Sequence, residues 1–292
     1  MTDRLTPGGL AQVACLLEAT ARKPGNVHRY KDFPDTHYLD FALSAVAVGP
    51  ALDRAAADGV GATVLAAVRA TRAVVATNTN LGIILLLAPL AAVPTDRPLR
   101  GAVEEVLRAT TVADARCVYE AVRLARPGGL GKVSDQDVSG EPTLPLLDVM
   151  ALAADRDGVA RQYANGFADV FGLAAPRLAS SLAEGRPLET AVVATHLALL
   201  AALPDTLIAR KCGQGVALEA TRRAADVLAA GWPDRADGLR LCGEFDLWLR
   251  ADGNARNPGT TADLVTAALF AGLRDGTIEL PLSFAGWTSS GA

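Results

Sequence analysis

The chain has 292 residues, half of them hydrophobic but only 5% aromatic, and 28 basic against 32 acidic side chains leave a formal net charge of −4. Alanine and leucine are prominent and lose little freedom in a helix, so an all-α protein with a sizeable core is expected. The mixed charge excludes the broad basic face of a duplex nucleic-acid binder, and the opening "MTDRLTPGGLAQ" lacks the pattern of a secretory signal, so a cytoplasmic protein is expected.

Apolar residues recur at spacings of three and four almost throughout. The pattern predicts helices over 8–21, closed by Lys23-Pro24-Gly25, and over 36–57, with a kink or break at Gly49-Pro50. Two more fit 61–76 and 80–93. The second is the most apolar stretch of the chain, but it is too short to cross a bilayer and carries Pro89, so it reads as a core helix. Another helix starts near Pro98, and the next has Thr111 as N-cap with Asp114 as its capping-box partner. Further helices fit 144–156, 157–171 behind Asp157, 174–184, 187–203, 205–230 with an interruption near Gly213 and Gly215, 235–250 and 260–274. No strand-type alternation or internal repeat is visible, so one all-α domain over 1–292 is expected. The long break at 127–142, "PGGLGKVSDQDVSGEP", has the length and composition of a functional loop. Cys15, Cys117, Cys212 and Cys242 are isolated and read as small hydrophobes, and with only three histidines a zinc site is not expected.

Four polar islands sit at predicted helix ends, each facing an apolar run. "RKPGNVHRY" (22–30) gathers Lys23, Asn26, His28 and Arg29 around a Pro-Gly turn, which reads either as a solvated turn or as a phosphate site. "TNTN" (77–80) places Asn78 and Asn80 ahead of Gly82; one asparagine suffices to cap a helix, and Gly82 would open the first-turn amides to an anion. "LPDTLIARKCGQG" (203–215) opens on Asp205 and closes on Arg210 and Lys211, which also complements the helix dipole. "ARNPGTTADLVTAALF" (255–270) offers Gly259, Thr260 as a cap, and Asp263 as either a capping-box residue or part of a metal–phosphate site. With Lys132, Asp135 and Asp137 of the long loop, these islands look like the rim of one pocket equipped with carboxylates, amides and cations.

"KPGNVH", "NTNLGIILLLAPL", "PDTLIARK" and "NPGTTADLVTAALF" stand in the order of the signatures of the triphosphoribosyl-dephospho-CoA synthase family, which the chain resembles over residues 15–272. The resemblance implies a transferase that joins ATP to 3′-dephospho-CoA, an acceptor hydroxyl displacing adenine from ribose C1 with inversion. ATP is then a substrate and Mg²⁺ the expected cofactor. Mapped by motif, Lys23, Arg210 and Lys211 fall to the phosphates and Asn78 and Asn80 to ribose or base. Asp205 and Asp263 fall to metal or general-base work, with Asp40 a further acidic candidate. Where many relatives have His-Lys-Gly, this chain reads Asn80-Leu81-Gly82, and 137–167 also departs from the pattern. Those departures resemble a subgroup associated with methanopterin-type carriers, which implies a ribitol-bearing acceptor as the alternative. A hydrolase of the ADP-ribosyl-glycohydrolase kind, with water as acceptor, is a third reading. A homodimer is expected because the apolar faces exceed one core.

Overall fold

The computed structural model describes residues 5–129, 131 and 133–284. Over these residues the chain forms α1 (Pro7–Thr20), α2 (Tyr38–Asp53), α3 (Ala55–Asp58), α4 (Val60–Val74), α5 (Leu81–Ala92), α6 (Leu99–Arg108), α7 (Val112–Ala125), α8 (Leu146–Ala153), α9 (Gly158–Asn165), α10 (Ala175–Ala183), α11 (Leu188–Ala202), α12 (Thr206–Cys212), α13 (Gln214–Ala229), α14 (Ala236–Asn254) and α15 (Gly259–Asp275). A π-helical turn, Val170–Ala174, leads into α10. No strand forms among the described residues, and the expected all-α single-domain architecture holds.

The apolar 80–93 segment is α5, buried along nearly all of its length against α1, α4 and α15. Around it lies the larger buried cluster, built by α1–α10, α15 and part of α11. A smaller cluster joins α11 to α12, α13 and α14 through Val193, Leu197, Ile208, Ala220 and Phe245. Helix α11 is apolar all round because it serves both: Ala191, Val192 and Leu199 face the first cluster, Val193, Leu197 and Leu200 the second. No single helix among the described residues is long and apolar enough to cross a membrane.

Several boundaries differ from expectation or refine it, each for an identifiable reason. Helix α2 does not break at Gly49-Pro50. Proline cannot donate to the carbonyl four residues back, but that carbonyl, on Val46, accepts from Gln12 Nε2 at 2.7 Å. Pro89 in α5 is accommodated the same way, its orphaned acceptor on Leu85 receiving the Tyr163 hydroxyl at 2.7 Å. Both prolines are therefore tolerated inside helices because a distant side chain supplies the missing donor. The 157–171 segment stops at Gly166, which turns left-handed at φ 65°, whereas 205–230 divides at Gly213, φ 91°, at the expected interruption. Thr111 and Asp114 form the expected capping box, and Asp157 Oδ1 caps α9 through the amides of Val159 and Ala160.

Candidate active site

The entries of α5, α9 and α15 converge on one side of the core, and α12 joins them through its first residues, with Arg210 and Lys211 further along it also at the cavity. Gly158 N donates to Thr206 Oγ1 at 3.0 Å, and Thr206 and Thr260 share a hydroxyl–hydroxyl bond of 3.0 Å. The contact is close: a Cβ on Gly158 would stand 2.8 Å from Thr260 Cγ2, and one on Gly259 2.6 Å from Leu207 Cδ2. These glycines let helix starts meet. The cavity they border measures about 540 Å³, within the range of small-molecule sites. Its opposite wall comes from α7, α8 and the loop between them, tied down by Arg123 Nη1 to Val138 O at 2.8 Å and by a Tyr119 hydroxyl bond to Gln136 O.

Asp263 lies on the cavity floor. Its carboxylate has no hydrogen-bond partner among the described residues, and it crowds Gly82, where a Cβ would meet Asp263 Oδ2 at 2.0 Å. Burial, then the charges of Glu18, Asp205 and Asp157, raise its pKa well above the ordinary carboxylate range, against a smaller lowering by Arg210. Glu18 of α1 borders the same floor and is bound to Lys23 Nζ at 2.9 Å, with the lysine completely buried. Lys23 Nζ also reaches the carbonyls of Glu18 and Ala21. Asn26 projects a buried Oδ1 with no partner among the described residues, as Thr77 does its Oγ1, and both line the cavity.

Cations ring this floor. Arg210 Nη1 holds Asp157 Oδ2 at 2.5 Å. Arg126, Arg156 and Lys211 also line the cavity, and none has a carboxylate partner among the described residues; Arg156 donates to Leu152 O and Lys211 to Asn257 Oδ1. Arg126 caps α7 in the left-handed region at φ 51°, an unusual conformation for arginine.

The structure redistributes the residues singled out in the sequence. Asn26, Asn78, Asn80, Gly82, Arg210, Lys211, Gly259, Thr260 and Asp263 all border the one cavity. Asn78, not Asn80, caps α5, accepting from Leu81 N at 3.2 Å, while the Asn80 amide donates to Thr71 Oγ1 at 3.1 Å. Thr260 does not cap α15, and Asp263 is no capping-box residue; the helix is capped from outside by Asp205. One Asp205 oxygen accepts from Leu207 N and Ile208 N, the other from Thr261 N at 2.7 Å and Thr261 Oγ1 at 2.8 Å. Asp205 thus pins two helix starts and lies outside the cavity lining. Lys23 is likewise enclosed by its ion pair and lies outside the cavity lining. His28 Nδ1 accepts from Tyr30 N at 3.3 Å outside the lining; burial, then the charges of Arg250 and Lys23, push its pKa down to about 4. Asp40 caps α2 by accepting from His37 N at 2.8 Å and is not part of the cavity lining, although its neighbour Phe41 is. Lys132 lies outside the described residues.

Glu18, Arg126 and Arg156 were not singled out as site residues. The signal for Glu18 was an acidic side chain on the otherwise apolar run of α1, five positions before Lys23. For Arg126 it was a basic residue held directly before Pro127-Gly128-Gly129.

The fold and this site can be set beside known proteins. A crystal structure from Archaeoglobus fulgidus, provisionally assigned as a triphosphoribosyl-dephospho-CoA synthase, superposes with a TM-score of 0.62 at 27% identity, covering 80% of this chain and 98% of that one. A protein of Pseudomonas savastanoi pv. phaseolicola, provisionally named a 2-(5″-triphosphoribosyl)-3′-dephosphocoenzyme-A synthase, is 33% identical over 179 residues. That match spans 59% of this chain and 58% of the relative. The family described as ATP:dephospho-CoA triphosphoribosyl transferase matches residues 4–280, nearly the whole chain, and on that ground the chain belongs to it.

Proposed function

We propose that the cavity binds ATP and transfers its triphosphoribosyl group to a hydroxyl of 3′-dephospho-CoA, releasing adenine. One observation carries this reading: an uncommitted carboxylate, Asp263, lies on a floor ringed by Arg126, Arg156 and Lys211, three cations without carboxylate partners among the described residues. Cations at a cavity that no carboxylate neutralises are available to make charge-assisted hydrogen bonds to a polyanion. The triphosphate meets these three groups and Arg210, and the convergent helix entries of α5, α9 and α15 add favourable field.

In the transfer, the acceptor oxygen forms a bond to C1 of the ATP ribose as the bond from C1 to adenine breaks. Adenine leaves with the electron pair and takes up a proton. The acceptor's own proton passes to Asp263, whose raised proton affinity suits a general base. Glu18 places a second negative charge beside the carbon where positive charge develops. The unsatisfied Asn26 Oδ1 and Thr77 Oγ1 have bonding capacity for the base or ribose.

A magnesium ion fits here in a limited way. No group of three or more His, Cys, Asp or Glu gathers as a ligand set among the described residues, and the oxygens of Asp205 are filled. Magnesium carried in on phosphates needs only one or two protein carboxylates. The unpaired oxygen of Glu18 and one oxygen of Asp263 would hold it, leaving the second Asp263 oxygen to take the acceptor's proton. The ion would neutralise phosphate charge.

The apolar wall of Val118, Val122, Leu146, Val149 and Met150 favours an acceptor with extended nonpolar length over water. Nucleotide substrates of this kind support a cytoplasmic setting. Product mass spectrometry with ATP and 3′-dephospho-CoA tests the reading: adenine and a triphosphoribosyl adduct should appear in equal amounts. Adenine without adduct would establish hydrolysis instead, and turnover only with a ribitol-bearing pterin would move the acceptor assignment there.

A further inference from the structure

Two buried hydroxyls beside the cavity form a chain whose direction can be worked out hydrogen by hydrogen. Thr206 Oγ1 accepts from Gly158 N at 3.0 Å, and its one other hydrogen-bonding neighbour among the described residues is Thr260 Oγ1, also at 3.0 Å. A threonine hydroxyl has one hydrogen and two acceptor sites. One hydrogen therefore lies within the Thr206–Thr260 bond, and the other remains to be placed. If Thr260 donated, the remaining hydrogen would sit on Thr206, which is buried and does not border the cavity, so no ligand could accept it. If Thr206 donates, the remaining hydrogen sits on Thr260, which is buried too but lines the cavity. A buried donor without an acceptor keeps the full penalty of its lost hydration. The chain therefore runs one way: Gly158 N–H to Thr206, Thr206 O–H to Thr260, and Thr260 O–H into the cavity.

We infer that this relay aims the Thr260 hydroxyl at a phosphate oxygen, with Thr206 as the residue that positions it; that the phosphate belongs to ATP rests on the reaction proposed above. Thr260 stands three residues before Asp263, on the same face of α15 and a rise of about 4.5 Å away. With ribose C1 held at Asp263, the phosphate nearest the ribose comes to Thr260. Arg210 lines the same corner and brings the positive charge, tied at 2.5 Å to Asp157, the residue directly before Gly158. The Thr260 hydrogen is not used on Asp263, since the two make no hydrogen bond and Thr206 is the one partner of the Thr260 hydroxyl among the described residues. A hydrogen bond to an anionic oxygen is roughly twice as strong as a neutral one, and hydroxyls polarised in one direction strengthen the last bond of their chain. Thr206 touches no substrate and acts through Thr260 alone.

Calorimetric titration of the full chain with inorganic triphosphate tests the relay without requiring turnover. Thr260→Val should weaken binding about tenfold or more, as loss of a hydrogen bond to a charged group does. Thr206→Val, close in shape but unable to donate, should weaken it about two- to threefold, and Thr206→Ser should restore the wild-type affinity. Because Thr206 works through Thr260, adding Thr206→Val to Thr260→Val should bring no further loss. Circular dichroism checks that each variant is folded, and Thr260→Ala replaces Thr260→Val should that variant misfold. A Thr206→Val protein that loses thermal stability but keeps its affinity would overturn the proposal. So would additive losses in the double variant, a Thr206→Ser protein no better than Thr206→Val, or a wild type that does not bind triphosphate. A wild type that binds triphosphate in this Thr260-dependent way yet releases no adenine from ATP would support the relay and overturn the proposed reaction alone.

Discussion

Asp205 and Asp263 look alike in sequence and differ in almost everything that matters in the fold. Each stands at the start of a helix, each is withdrawn from bulk solvent, and burial raises the pKa of each. Asp205 is compensated: four donors from two helices fill both oxygens, and these bonds pull back against the raising effect of burial. Asp263 has none of these and is pushed further by Glu18 and by Asp205 itself. A buried acid whose bonds are complete holds structure together. A buried acid left unsatisfied at a cavity keeps its proton chemistry available.

That contrast breaks first at Asp263. Asp263→Asn should lower turnover by about 10²–10⁴-fold, the worth of a positioned proton acceptor, while the thermal midpoint at neutral pH stays level or rises. Steady-state adenine release and calorimetry on one preparation read both; a lost fold with no specific loss of turnover would remove Asp263 from the chemistry. Lys23→Met probes the support beneath it. Glu18 would remain buried without its ion-pair partner, costing about 3–5 kcal/mol, visible as a falling urea midpoint. Asp205→Ala comes next, with two caps lost at about 1–2 kcal/mol each. Asp205→Asn should be milder because its one remaining oxygen can still cap α12, although its amide cannot accept from Thr261. The motif alone favours the reverse, an inactive but fully stable Asp205→Asn, and the bonds to Thr261 are the reason to expect otherwise.

Helices were legible because their periodicity and punctuation are local: Thr111 with Asp114, Asp157 and Gly213 act within a few residues of themselves. What the sequence concealed depends on partners far along the chain. Nothing near Pro50 announces Gln12, and nothing near Pro89 announces Tyr163, yet those side chains decide that the helices continue. The site behaves likewise. The polar islands did converge on one cavity, but which acid would be satisfied was unreadable, since Asp205 is capped into use by a residue 56 positions away. Lys23 was hidden in the same manner, its motif pointing to phosphate while its ammonium turns inward to Glu18.

The rim provides a smaller contrast, between Arg210, tied to Asp157, and the cations without such ties. Arg126→Ala should raise the KM for ATP about tenfold, near 1.4 kcal/mol, with kcat little changed and the effect shrinking as salt increases. Arg223→Ala, which removes a cation already paired with Glu219 on α13, should leave KM where it is. Equal effects from both would mean that the rim cations owe nothing to their position.

The finest test uses pH. An acid whose folded pKa lies above its unfolded value contributes its full stability below the unfolded pKa, near 4, and loses it as pH rises through the folded value. Asp263 is such a group. His28, lowered to about 4, and His196, lowered to about 3 by burial and then by the Lys23 charge, run the other way: their contribution is complete above 6.5 and drains as pH falls towards those values. The wild-type curve mixes the two trends, but the histidines are common to wild type and Asp263→Asn and cancel in the difference. The variant's thermal midpoint should therefore equal that of the wild type near pH 4 and pull ahead as pH rises. Adding Mg-ATP should narrow the gap, because the wild-type carboxylate gains a cation that the amide cannot hold as well. A difference that is flat with pH would mean that Asp263 is not the strained acid at the cavity floor.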